Sequence, residues 1–146
     1  MAEGRIRAVA LAIFIRPRDG AVLAGRFGEP DHIFYRPPGG GIEFGEYSGE
    51  AACREAVEEL GHAVRADRLL GVVETHFVYE GRPRHEIIFN WLLHFEDPSL
   101  YEWDEFEAEE IDGERYVAYW VHDGDLAARG IRLVPRELVP MLEKVV

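Results

Sequence analysis

A chain of 146 residues with 47% hydrophobic content is long enough for one domain that buries a core of its own. Its 28 acidic residues against 16 lysines and arginines leave a formal charge of −12, which argues against nonspecific binding to nucleic acid, because that depends on neutralising phosphates with basic side chains. The lone cysteine, Cys53, excludes an internal disulfide, no apolar run approaches the roughly 20 residues of a membrane span, and no basic-then-apolar leader opens the chain, so a cytoplasmic protein is expected.

In chain order, residues 6–15, IRAVALAIFI, form a β-rich apolar run, and Asp19-Gly20 is a turn signal before a short strand at 21–25. Arg26 and Arg36 follow; each is either a charge-assisted donor to a phosphate or an ordinary surface arginine. Phe34, Tyr35, Phe77, Trp91 and Trp120 have the shape to sandwich a nucleobase, but aromatic residues at strand positions more often bury their area in a core. His76 and His85 carry the same two readings.

Residues 40–62 read GGIEFGEYSGEAACREAVEELGH. Gly39, Gly40 and Gly41 after Pro37 and Pro38 predict a turn at which backbone groups approach something closely, since glycine alone permits both the dihedrals and the approach. Ser48 is the expected N-cap of a helix, and Gly61 its C-terminal stop. At about 100° of rotation per residue, Glu55, Glu58 and Glu59 fall in one sector of roughly 100°, with Cys53, Ala56, Val57 and Leu60 opposite. The spacing predicts an apolar stripe on the core and a carboxylate cluster facing outward. Neighbouring like charges destabilise such a helix, and a hard cation that takes oxygen ligands would convert the repulsion into binding energy. Cys53, on the apolar side, reads as a small core residue. Arg54 is placed to reach back to Glu46 and to orient Glu55.

After the helix, residues 68–79 and 85–95 read as two strands of a hairpin joined through Glu80, Gly81, Arg82 and Pro83, residues 97–114 as an acidic connection, 115–121 as a strand and 136–146 as a closing helix. A mixed sheet flanked by helices is the expected α/β arrangement.

Gly40, Glu46, Arg54, Glu55, Ala56, Glu58, Glu59 and Gly61 together resemble the Nudix signature, G-x5-E-x7-R-E-U-x-E-E-x-G-U with U an aliphatic residue. The one departure is His62 at the last position, which concerns packing at the helix end. The stretches YRPPGGGIEFGE, VVETHFVYEGRPRHEI and LVPREL extend the similarity to bacterial Nudix hydrolases over most of the chain. The resemblance implies a single domain with the α/β/α Nudix sandwich, a mixed sheet between helices. It also implies hydrolysis of a pyrophosphate bond in a small nucleotide such as a nucleoside triphosphate or ADP-ribose, with Mg²⁺, or Mn²⁺ in its place, as the metal. Glu55, Glu58 and Glu59 would be its carboxylate ligands, helped by the backbone carbonyl of Gly39 or Gly40, with Arg54 and Glu46 an ion pair that fixes them.

Many family members add a carboxylate from outside the motif. Here Glu86, opening a strand, and one of Glu107, Glu109, Glu110 and Glu114, with Glu110 first, are the candidates for that role; most of such an acidic run is expected to be solvated. Many Nudix proteins form homodimers. An enzyme acting on RNA ends or caps is disfavoured by the acidity, and a nucleotide-sensing module without turnover by the complete set of glutamates.

Overall fold

In the computed structural model, which describes residues 4–145, the first apolar run becomes β1 (Ile6–Ile13). Its alternation puts Val9, Leu11 and Ile13 into one layer of the core, and Ala10 and Ala12, continued by Phe14, into the other. A strand covered on both faces reads as an uninterrupted apolar run, which is why this segment is so legible.

β2 (Val22–Glu29) extends four residues past the predicted end at Gly25 and turns back into β3 (His32–Arg36). The glycine triplet is itself a short strand, β4 (Gly39–Gly41), paired antiparallel with β1 from Val9 to Leu11. The expected turn is therefore extended backbone, and the close approaches it was read to require are real. A β-carbon on Gly39 would lie 2.2 Å from the Ala10 carbonyl oxygen, and one on Gly40 2.6 Å from the Glu55 carboxylate.

Helix α1 (Ser48–Leu60) ends where predicted: Gly61 adopts φ 78° and its N–H donates to the Val57 carbonyl, a left-handed cap that favours glycine. Its start differs from the expectation. Tyr47 precedes the first turn with its N–H donating to Glu50 Oε1 at 2.9 Å, and the Ser48 hydroxyl instead accepts the indole N–H of Trp91 at 2.9 Å. Trp91 thus pins the helix start to the sheet.

β5 (Val64–Tyr79) and β6 (Arg82–Phe95) form the long hairpin, with Glu80 and Gly81 alone in the turn at φ 53° and 75°. Arg82 and Pro83 belong to β6. The acidic connection is more ordered than expected. A 3-10 turn over Pro98–Glu102 precedes β7 (Glu105–Glu109), in which Phe106 and Ala108 are buried while Glu105, Glu107 and Glu109 face solvent. The period of two was present, but acidic residues filled the outer face and made the strand read as a loop. β8 (Arg115–Val121), α2 (Asp123–Ala128), β9 (Arg132–Leu133) and a short α3 (Leu138–Glu143) complete the chain. Among the described residues, the helix expected over 136–146 is confined to those six, and Val146 lies outside them.

The strands form two sheets, β4-β1-β6-β5 and β7-β8-β2-β3-β9. Each is mixed: β1 pairs parallel with β6, and β3 parallel with β9. On one side of β1, Ala51, Ala52, Ala56 and Leu60 of α1 pack against Ala10, Ala12 and Phe14. On the other, Leu126 of α2, Leu133 and Leu138 of α3 meet Val9, Leu11 and Ile13. Helices on both sides of mixed sheets make this the expected α/β layering. No described helix is long and apolar enough to cross a membrane.

Candidate active site

The small residues Ala51, Ala52 and Ala56 let α1 approach the sheet closely, and this approach turns the glutamates in a direction the helix pattern did not predict. Glu55 and Glu59 are only 8% and 7% exposed, whereas Val57, assigned to the apolar stripe, is 46% exposed. The carboxylate cluster does not face outward as a unit. Glu55 and Glu59 point into the fold and Glu58 stays at the surface.

Between these two groups sits the Arg54 guanidinium. Its Nε and Nη2 donate to the two oxygens of Glu46 at 2.7 and 2.9 Å, Nη2 also donates to the Gly41 carbonyl at 3.0 Å, and Nη1 donates to Glu55 at 3.0 Å and Glu58 at 3.3 Å. A planar fork suits this bidentate geometry as an ammonium would not. Arg54 thereby ties the loop before the helix, the glycine strand and two of the glutamates to one point. The Arg54 hydrogen bonds, with a further one from the Glu43 N–H, hold the Glu46 carboxyl down at about 2.

Glu59 lies in the opposite electrostatic condition. Burial, and next a hydrogen bond shared with Glu55, push its carboxyl up to about 9, so it keeps a proton at neutral pH. Tyr116 of β8, 57 residues further along the chain, donates its hydroxyl to Glu59 Oε1 at 2.5 Å, and its own acidity is suppressed by burial and by the Glu59 charge. Sequence reading passed over Tyr116. The available signal was its place on the buried face of a strand, since a buried tyrosine needs a partner for its hydroxyl.

Glu110 directly follows β7 and opens the turn to β8, where its N–H donates to the Glu114 carbonyl at 2.8 Å. Its half-buried carboxyl is raised first by burial, then by Asp112, Glu114 and Glu55, against the lowering influence of Arg36. Carboxylate oxygens of Glu110, Asp112 and Glu114 lie within 4.8 Å of one another. Glu107 and Glu109 point to solvent from β7.

Glu86, the other candidate for a carboxylate outside the motif, is buried and paired with arginines. It lies on β6, inside the sheet, only 3% exposed, and its two oxygens accept from Arg36 Nη2 at 2.9 Å and Arg7 Nη1 at 3.4 Å. Arg36 is therefore committed to Glu86 on one side and close enough to Glu110 to affect it on the other. Arg26 is exposed on the rim of a separate cavity of about 330 Å³ lined also by Phe27, Ile33, Val117 and Tyr119.

Of the aromatic candidates, Tyr35 is buried in the core, edge-on to Tyr119 with ring centroids 6.4 Å apart. Trp120 donates to the Trp103 carbonyl and lies beneath the Arg16 guanidinium. His62, the unusual residue at the helix end, packs edge-on against Phe95, Trp103 and Phe106. The imidazole does the packing an aliphatic side chain would do. His76 and His85 stack with centroids 4.0 Å apart, and His85 Nε2 lies 2.8 Å from Glu74.

Two mixed sheets between helices, with buried carboxylates on one helix facing a glycine strand, define an α/β fold built around an oxygen-rich acidic site. The NUDIX domain model matches residues 5–141. The chain belongs to the Nudix family. It is similar to the putative mutator protein MutT4 of Mycobacterium tuberculosis (strain CDC 1551 / Oshkosh), 35% identical over 81 residues, a match that covers 54% of this chain and 33% of that protein. The chain thus aligns with about a third of the length of this curated relative. Among solved structures, the MutT NUDIX hydrolase from Burkholderia pseudomallei is 26% identical with a TM-score of 0.54, covering 80% of this chain and 83% of the other. The E. coli ORF135 protein, at 23% identity, superposes with a TM-score of 0.60 over 95% of this chain and 87% of that one. The C. elegans Ap4A hydrolase, at 18% identity, gives 0.57 over 97% and 96%. The last two are likenesses of fold.

Proposed function

We propose that this protein is a Mg²⁺-dependent pyrophosphohydrolase that cleaves a small nucleoside-diphosphate-linked substrate, a nucleoside triphosphate or a nucleotide sugar such as ADP-ribose. The observation that carries the reading is the buried Glu55–Glu59 pair, pressed against the Gly39–Gly41 strand and oriented by Arg54. Burial, and next the neighbouring Glu55, disfavour the charged form of Glu59 there, an arrangement that is costly unless a cation enters. The donors are all oxygens, the set a hard divalent ion takes, so the residues fit Mg²⁺. Glu55 and Glu59 would hold it, with Glu58 at the solvent side and a backbone carbonyl of Gly39 or Gly40. When bound, the ion polarises a phosphoryl oxygen and lowers the pKa of attacking water.

The chain's own residues supply position and proton transfer. Arg54 and Glu46 keep Glu55 in one orientation, and Tyr116 does the same for Glu59. Water attacks phosphorus, the bond from phosphorus to the bridging oxygen breaks, and a base takes the water proton. Glu110 suits the role of base better than Glu86. Its carboxyl is raised by burial and by neighbouring carboxylates, whereas both Glu86 oxygens already accept from arginines. Glu86 acts as a positioning residue that sets Arg36, and Arg36 is the better placed of the two candidate phosphate donors.

The test is release of phosphate or nucleoside monophosphate from nucleoside triphosphates, ADP-ribose, other nucleotide sugars and dinucleoside polyphosphates, with Mg²⁺, with Mn²⁺ and with EDTA. Metal-dependent turnover of one class is the expected result. Saturable binding without turnover across the whole panel would overturn the reading in favour of a nucleotide sensor.

A further inference from the structure

The acidic chain carries one concentrated patch of the opposite sign. A cleft of about 260 Å³, between the start of β1 and the start of β6, is lined by Arg5, Arg7, Arg82, Arg84 and His85, with Glu86 at its base. Local sequence conceals this grouping: Arg5 and Arg7 are some 75 residues from the other two, and the parallel pairing of β1 with β6, Ile6 opposite His85 and Arg7 opposite Glu86, brings them together.

Their charges are only partly neutralised among the described residues. Arg7 reaches Glu86, whose other oxygen is taken by Arg36, and His85 is engaged by Glu74. Among the described residues, Arg5, Arg82 and Arg84 form no salt bridge. The Nε of Arg84 is buried without a hydrogen-bond partner, its guanidinium lying 5.9 Å from the Tyr79 ring centroid. A buried donor left unpaired is costly, and guanidinium groups crowded into one cleft repel one another. Arg5, Arg7 and Arg82 are exposed, an anion with several acceptor oxygens offsets their repulsion, and arginine forks match phosphate geometry.

We propose that this cleft is an anion site for an oligophosphate group, one carrying two or three linked phosphoryl units, held by Arg5, Arg82 and Arg84, with Arg7 as its link to the candidate active site. Three uncommitted guanidiniums roughly match the charge of such a group, whereas a carboxylate would balance only one of the three. Arg7 provides the connection: a β-carbon built on Gly41 would lie 3.4 Å from Arg7 Nη2, so the wall of the cleft adjoins the glycine strand. The bound group is either the remote phosphates of the substrate or a separate oligophosphate.

Calorimetric titration of the full chain with inorganic tripolyphosphate in EDTA tests the site without turnover, so its failure is separate from failure of the proposed hydrolase function. Saturable binding is expected, weakened roughly tenfold or more by the double substitution R5A/R82A. R18A/R129A removes the same two charges from exposed positions outside the cleft and is expected to leave binding unchanged. No saturable binding, or an equal loss in both double variants, overturns the proposal. If the tightest substrate of the hydrolysis panel is inhibited competitively by tripolyphosphate in the parent and not in R5A/R82A, the cleft holds the substrate's own phosphates. Noncompetitive inhibition that R5A/R82A likewise removes assigns it to a separate oligophosphate.

Discussion

Two ends of the same helix segment carry charge in opposite conditions. Around Arg54, every strong charge has a partner: Glu46 is held by two of its nitrogens, and Glu55, Glu58 and the Gly41 carbonyl take the rest. One turn further on, Glu59 is buried beside Glu55 and keeps its proton up to about 9. A satisfied network fixes geometry, and in the proposed function the frustrated pair supplies the driving force for taking up a cation. In the proposed function the contrast separates residues that shape the site from residues that act in it.

The sharpest way to break this contrast is E59Q. Turnover with Mg²⁺ should fall by two or more orders of magnitude, since the variant loses charge that a metal needs. Stability of the metal-free protein should not fall with it. Glu59 is raised from an ordinary value of 4.5 to about 9, so the folded chain binds an extra proton between those pH values, and in EDTA stability should decline as pH rises through the window. E59Q should flatten that decline in thermal melts; an unchanged slope would show that Glu59 is not its source.

E110Q should lower kcat about a hundredfold, the range for loss of a general base, and remove the acidic limb of the pH–rate profile. E86Q should instead raise KM and leave the limb in place, because in the proposed function Glu86 acts only by holding Arg36 and Arg7. The reverse pattern would exchange their roles. G40A asks whether the close approach of the glycine strand matters. An added β-carbon would meet the Glu55 carboxylate at 2.6 Å and displace it, with a loss of up to about a hundredfold in kcat and retained far-UV circular dichroism. R54A should cost about 2 kcal/mol of stability in urea unfolding, since it removes charged hydrogen bonds from partly buried carboxylates.

The smallest effect is at acid pH. Glu46 is held at about 2 against an ordinary 4.5, so its pairing contributes fully above about 4.5 and is lost as pH falls toward 2. E46Q should be less stable than the parent at pH 6 and converge with it near pH 2. A constant difference across that range would mean that the glutamate acts through packing and not through its charge.

How far the sequence could be read depends on the range of the interaction. The Gly61 cap, the Arg54–Glu46 pair and the β5–β6 hairpin follow from spacing within a few residues or a turn signal, and all are present. β7 was hidden because its outer face is acidic, and Tyr116 and Arg7 because their partners lie far along the chain. Glu110 and Glu107 looked alike in sequence; only the position at a strand end half-buries the first and exposes the second.

The sequence by itself determined the family motif and its register, the helix that carries Glu55, Glu58 and Glu59, and the glycines that let a strand come close. The tertiary structure decided which of those glutamates are buried, that Tyr116 meets Glu59, and that Arg7 and Arg36 share Glu86. The physical reason is that helix periodicity and turn dihedrals are local properties of the backbone. Burial and the pKa of a carboxyl depend on which distant elements pack against it, and that is settled only when α1 seats its alanines on β1 and β8 brings Tyr116 across to the same helix.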